Sequence, residues 1–75
     1  MLKEEKNRHI ARVQRKYRFL GREFDERQKR LWAASEALEI GRGGVGIVST
    51  ATGISSATVR KGVRYLQRPG RKPLM

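Results

Sequence analysis

The sequence predicts an all-α fold, a bundle of three to four helices that contains a helix-turn-helix. Two observations predict it. Apolar residues recur at helical spacing along most of the chain, and glycines stand where one helix would end and the next begin. The length of 75 residues allows one small domain with a lean core. The predicted helices lie near residues 3–20, 25–40, 45–52 and 55–67.

The first predicted helix carries an apolar stripe on a basic surface. Ile10, Val13 and Tyr17 repeat at i, i+3 and i+7, and Leu20 or Phe24 continues the stripe. Two interpretations stay open. Either this helix packs on the rest of the chain, which its aromatic and aliphatic area slightly favours, or it is a mobile basic helix that orders on a bound polyanion such as DNA.

The second predicted helix begins at an N-cap and ends at a glycine. Asp25 to Gln28 has the pattern of a capping box, with an acceptor at the N-cap and Gln at N3. The helix is expected to end near Ile40, with Gly41 at C′. Its alanines favour helix and allow a neighbouring helix to approach closely. The expected buried stripe consists of Leu31, Trp32, Ser35 and Leu38. The glutamates expected on the solvated face are Glu26, Glu36 and Glu39.

Residues 45–66 have the pattern of a helix-turn-helix. Apolar residues run through the first arm, and Gly53 follows where a tight turn needs positive φ. Ser55 is a good N-cap for the second arm. The apolar face of the second arm consists of Val59, Val63 and Leu66. Its small, polar or basic face consists of Ser56, Ala57, Arg60, Lys61, Arg64 and Gln67. A capped helix with such an outer face, set at an angle by a short turn, fits the major groove of DNA.

Positive charge is the strongest compositional signal. Eighteen Lys and Arg against seven Asp and Glu leave a net charge of +11. Residues 41–75 hold seven basic and no acidic side chain, whereas residues 25–40 have a net charge of −1 and residues 1–24 of +5. Because carboxylates repel phosphate, a helix-turn-helix without them favours polyanion binding driven by counterion release.

The composition argues against catalytic, metal-binding and membrane functions. With no Cys and a single His, His9, neither a metal site nor a nucleophilic triad is expected. No apolar run is long enough to span a bilayer, and no signal peptide is recognisable, so a cytoplasmic, nucleoid-associated location is expected. Gly41, Gly43 and Gly46 match G-x-G-x-x-G, but no predicted strand precedes them. We therefore expect no catalytic residue, no metal, no cofactor and no small-molecule ligand.

The segment from Lys16 to Gln67 carries two motifs, DERQ-x-RLWAA-x-EA-x-x-x-GRGGV and ATG-[IV]-S-x-x-TVR-x-G. With them it resembles the N-terminal region of Rhodopirellula-type DDE transposases of insertion sequences. The RPGRKP run that follows is similar to the basic linker of that family. The resemblance implies a module that recognises the terminal repeats of the element. In full-length members an RNase H-like domain with metal-binding carboxylates follows. The chain stops at Met75, so we expect strand-transfer chemistry to be absent from it.

Together these patterns divide the chain into a basic N-terminal helix at 1–24, a helix-turn-helix DNA-binding domain at 25–67, and a basic tail or truncated linker at 68–75. The expected core comprises Leu31, Trp32, Leu38, Val45, Val48, Ile54, Val59, Val63 and Leu66. The residues expected to face base edges are Ser56, Ala57, Arg60 and Lys61. The residues expected to hold phosphates are Arg42, Ser55, Arg64, Arg68, Arg71 and Lys72.

The expected partner is double-stranded DNA, and two alternatives stay open beside a transposase module. One is a small stand-alone helix-turn-helix regulator that works as a homodimer and prefers a palindromic site. The other is a basic RNA-binding protein that uses the charge without the groove geometry.

Overall fold

A computed structural model describes residues 3–68, which form four α-helices and no β-strand. The helices are α1 (Lys3–Leu20), α2 (Glu26–Ile40), α3 (Gly44–Thr52) and α4 (Ser56–Leu66). The all-α class is confirmed for this part of the chain, and every predicted helix end lies within one residue of the observed one. Among residues 3–68, no helix has the length and hydropathy needed to traverse a lipid bilayer.

The helix ends follow the predicted local chemistry. The Asp25 carboxylate accepts a hydrogen bond from the Gln28 N–H at 2.8 Å, and the Gln28 side chain accepts one from the Asp25 N–H at 2.9 Å. The capping box is therefore present at the start of α2. Gly41 and Gly53 end α2 and α3 with φ of 83° and 80°, a region that other residues rarely adopt.

Helix α2 packs on α3 and α4, and α1 packs on α3. The close approaches to α2 occur at its alanines. A Cβ atom on Gly44 would overlap the backbone carbonyl oxygen of Ala37, and one on Gly62 would lie 2.8 Å from the Cβ of Ala34. The expectation that the alanines of α2 admit a close neighbour is confirmed, and the partners that come close are glycines of α3 and α4.

The core that results differs in part from the expected one. The buried apolar residues are Val13, Ala33, Ala34, Ala37, Ile47, Val48 and Val59. Four expected core residues are partly buried and pack against five of these buried residues, Val13, Ala33, Ala37, Val48 and Val59; the four are Trp32, Val45, Ile54 and Val63. Leu31 and Leu66 are also partly buried.

The prediction for Leu38 is wrong, because this side chain is 37% exposed. The expected stripe centred on Ser35, whereas Ala33 and Ala37 are buried. Side chains two positions apart point to nearly opposite sides of a helix. Helices α3 and α4 approach on the alanine side, where small residues permit the closest contact, and Leu38 is left at the edge.

Helix α1 contributes to the core rather than standing apart from it. Val13 has no exposed surface, and the Tyr17 ring stacks on Trp32 with centroids 5.7 Å apart. This geometry agrees with the packed interpretation of α1. Trp32 therefore stacks on Tyr17 within the protein.

The prediction that Glu36 lies on a solvated face is wrong. Glu36 is 6% exposed, and its Oε1 lies 3.4 Å from the Nζ of Lys16 on α1. A buried carboxylate needs a compensating partner, and α1 supplies it. The sequence pattern of α2 alone does not predict the burial of Glu36, because its partner, Lys16, lies 20 positions earlier in the chain.

Candidate nucleic-acid interface

Helix α4 is fixed to the body of the protein by its inner face. Val59 and Gly62 are buried. A side chain on Gly62 would come within 3.1 Å of the Arg30 carbonyl oxygen as well as meeting Ala34, so the bare glycine sets how closely α4 lies against α2. The buried position of Gly62 therefore serves close packing of α4 on α2.

The outer face of α4 carries the exposed residues Ala57, Arg60, Lys61 and Arg64. Their spacing of three and four positions places them in one stripe along the helix, which we call the α4 stripe. Three of the four residues expected at base edges lie on the stripe. The fourth, Ser56, is partly buried at its side. Arg64, expected at a phosphate, lies on the stripe in line with Arg60.

The start of α4 is held by Ser55. Its hydroxyl oxygen accepts the Thr58 N–H at 3.2 Å, and the same hydroxyl donates to Thr58 Oγ1 at 2.9 Å. The N-cap prediction is confirmed. Because the hydroxyl is engaged in capping, any anion contact at Ser55 would involve the backbone N–H groups of the first helical turn.

The remaining residues expected at phosphates are spread over the chain. Arg68 is exposed just beyond the end of α4. Arg42 is exposed in the connection after α2, beyond the helix end at Ile40, which lies about 9 Å along the α2 axis from Ala34, where Gly62 of α4 comes close. The structure therefore does not place Arg42 at the α2–α4 crossing. Arg71 and Lys72 lie outside the described residues.

Sequence reasoning missed a groove between α2 and α4. It has a volume of about 420 Å³ and is lined by Arg27 and Arg30 of α2 and by Lys61 and Tyr65 of α4, among others. Arg27 donates from Nη2 to the Tyr65 hydroxyl oxygen at 3.3 Å. The three-residue spacing of Arg27 and Arg30 places both on one side of α2, but only the close packing of α4 at Gly62 turns that side into a groove wall.

Positive charge dominates this region. From Gly41 to Arg68 the sequence holds five basic side chains and no acidic one, and the groove adds the two arginines of α2. Within the described residues, none of those lining the groove carries a carboxylate. The nearby Glu26 has its Oε1 3.6 Å from the Nζ of Lys29, so its charge is balanced within α2.

Comparison of this chain with protein families, with curated proteins and with solved structures finds no match.

Proposed function

We propose that this chain is a double-stranded DNA-binding module in which α3 and α4 form a helix-turn-helix and α4 enters the major groove. The observation that carries the proposal is the α4 stripe, a row of exposed Arg and Lys side chains on a capped helix whose opposite face is buried. A helix with its side chains is about 10–12 Å wide, and the major groove of B-DNA is about 12 Å wide. A firmly anchored basic helix of this kind can fit the groove.

The roles of the residues follow from their positions on α4. Arg60 and Lys61 project from the middle of the helix, and Arg is suited to pair with the O6 and N7 atoms of guanine. Ala57 contributes an apolar contact near the start of the helix, and Ser56 contacts the base edges from the side of the stripe. Arg64 and Arg68 lie towards the end and hold phosphates, as does the capped N-terminus at Ser55. Arg42, Arg71 and Lys72 complete the proposed phosphate-contacting set.

The biological role proposed is recognition of the terminal repeats of an insertion sequence. The support for this finer statement is the resemblance of residues 16–67 to the N-terminal region of the DDE transposases. The site of action is then the nucleoid of the cytoplasm.

The variant Arg60→Ala tests base recognition. We expect it to weaken binding to a selected target duplex by about 1–3 kcal/mol while weakening binding to random duplex much less, because it removes a contact to a base edge. Arg68→Ala is the matched variant. It removes the same charge near a phosphate, so it is expected to weaken binding to both duplexes alike.

Fluorescence anisotropy titrations of both variants on both duplexes, at one salt concentration, make this comparison. Equal losses on selected and random duplex for Arg60→Ala would overturn the assignment of base recognition to α4. Tighter binding of the wild-type chain to structured RNA than to duplex DNA at matched salt would overturn the choice of DNA.

A further inference from the structure

The groove between α2 and α4 brings together three cations that the proposed helix-turn-helix does not use as a set. Arg27 and Arg30 come from α2 and Lys61 from α4. All three residues are exposed, so a ligand can reach them from solvent. With no carboxylate among the described residues that line the groove, its chemistry favours an anion.

The Arg27 side chain is held by a contact between helices, and Arg30 is held there through its backbone. The Arg27 guanidinium donates to the Tyr65 hydroxyl oxygen across the groove. The backbone of Arg30 lies at the helix crossing, since its carbonyl oxygen would be 3.1 Å from a Cβ on Gly62. Positions three apart on a helix have Cβ atoms about 5–6 Å apart, close enough for both guanidinium groups to reach the same phosphate. Because the Arg27 guanidinium is already positioned, it loses less side-chain entropy on binding than a free arginine does.

Lys61 connects the groove to the α4 stripe, because it belongs to both. A DNA strand that borders the major groove around α4 therefore passes beside Arg27 and Arg30. We propose that the α2–α4 groove binds a phosphodiester of that strand, with Arg27 and Arg30 as phosphate-contacting residues and Tyr65 as the residue that positions Arg27. This inference rests on the proposed function, since it assumes that α4 lies against a DNA duplex.

The experiment measures the salt dependence of duplex binding for Arg27→Ala/Arg30→Ala. Each phosphate that the protein neutralises contributes about 1 to the slope of log K against log [salt], so the double variant, which removes both cations from one shared phosphate, is expected to reduce the slope by about 1. The decrease in affinity is expected to be the same on selected and random duplex, because phosphates carry no sequence information. Tyr65→Phe is expected to reduce the slope by up to about half as much, since it leaves Arg27 charged but unpositioned.

The matched control is Arg8→Ala/Arg15→Ala. It removes the same charge from exposed positions on the side of α1 that faces away from the buried Val13. Thermal melting of every variant separates a binding effect from unfolding. A slope for the groove variant equal to that of the α1 control would overturn the proposal. A groove that binds inorganic phosphate or a nucleoside monophosphate, while the groove variant keeps full duplex affinity, would also overturn it and would identify a small-anion site.

The two proposals fail in different ways. If Arg60→Ala shows no sequence effect but the groove variant still has a reduced slope, base recognition by α4 is refuted and the phosphate site stands. If Arg60→Ala behaves as expected and the groove variant matches the α1 control, the groove proposal alone is refuted.

Discussion

Replacing Gly44 with alanine is expected to destabilise the protein by about 3 kcal/mol, at the upper end of the usual cost of overpacking. Gly44 is buried at the start of α3, and the added Cβ would overlap the carbonyl oxygen of Ala37 on α2. No change of rotamer relieves a clash with backbone, so α3 must move away from α2. For a domain of this size the melting temperature is expected to fall by roughly 12–24 °C, measured by circular dichroism.

The same helix offers the control variant. Gly46→Ala adds the same methyl group at an exposed position with no neighbouring atom within 4 Å of the new Cβ. Alanine loses less backbone entropy in a helix than glycine, so this variant is expected to gain about 0.5 kcal/mol. Equal melting temperatures for Gly44→Ala and Gly46→Ala would contradict the close packing of α3 on α2. Because α3 and α2 together support α4, the loss of this packing also removes the platform for the proposed DNA contact.

Reversing two charges on the α4 stripe is expected to produce the largest loss of DNA binding. Arg60→Glu/Arg64→Glu replaces two proposed attractive contacts by repulsion from phosphates, and we expect duplex affinity to fall by roughly 100-fold or more. Both positions are exposed, so the fold is expected to survive. Duplex titration at about 0.15 M salt, with circular dichroism to verify the helix content, measures the effect.

The comparison variant is Arg8→Glu/Arg15→Glu, which changes the net charge by the same amount on the outer side of α1. Charges farther from DNA than a Debye length, about 8 Å at that salt concentration, are largely screened. We therefore expect a loss of about tenfold or less. If both double variants lose the same affinity, the binding reflects net charge alone and the proposed orientation of α4 is wrong.

The helix ends were predictable because they depend on neighbouring residues. A capping box involves Asp25 and Gln28, three positions apart, and a positive φ at Gly41 or Gly53 follows from local chain geometry. Helix propensity and periodicity act over similar distances. These signals depend on residues that are close together in the sequence, and they were sufficient to predict all four helices.

The errors concern contacts between helices. Leu38 is exposed and Glu36 is buried because of where α1, α3 and α4 meet α2, and the period of α2 does not encode that. The alanines of α2 indicated a close approach but not its direction. A ranking of core candidates by side-chain size favours Leu38 over Ala37. In the structure the glycines of α3 and α4 pack closely against the alanines of α2, so the small residues of α2 are the buried ones.

The candidate site also has one part that could be predicted from the sequence and one part that could not. The α4 stripe follows from the spacing of Arg60, Lys61 and Arg64 within one helix and was visible in the sequence. The groove was not visible in the sequence, because it forms where Arg27 of α2 contacts Tyr65 of α4, which lies 38 positions later in the chain. A basic pair on α2 beside a glycine in α4 gives a weak hint, which becomes informative only when the two helices are known to touch.

The most direct test of the proposed function is a selection of random DNA duplexes on the purified chain at two salt concentrations. We expect a defined sequence motif to emerge and to persist at the higher salt, because contacts to base edges add specificity that counterions do not screen away. Binding without sequence preference, falling steeply as salt rises, would contradict the proposal and would show that the chain is held to DNA by phosphates alone.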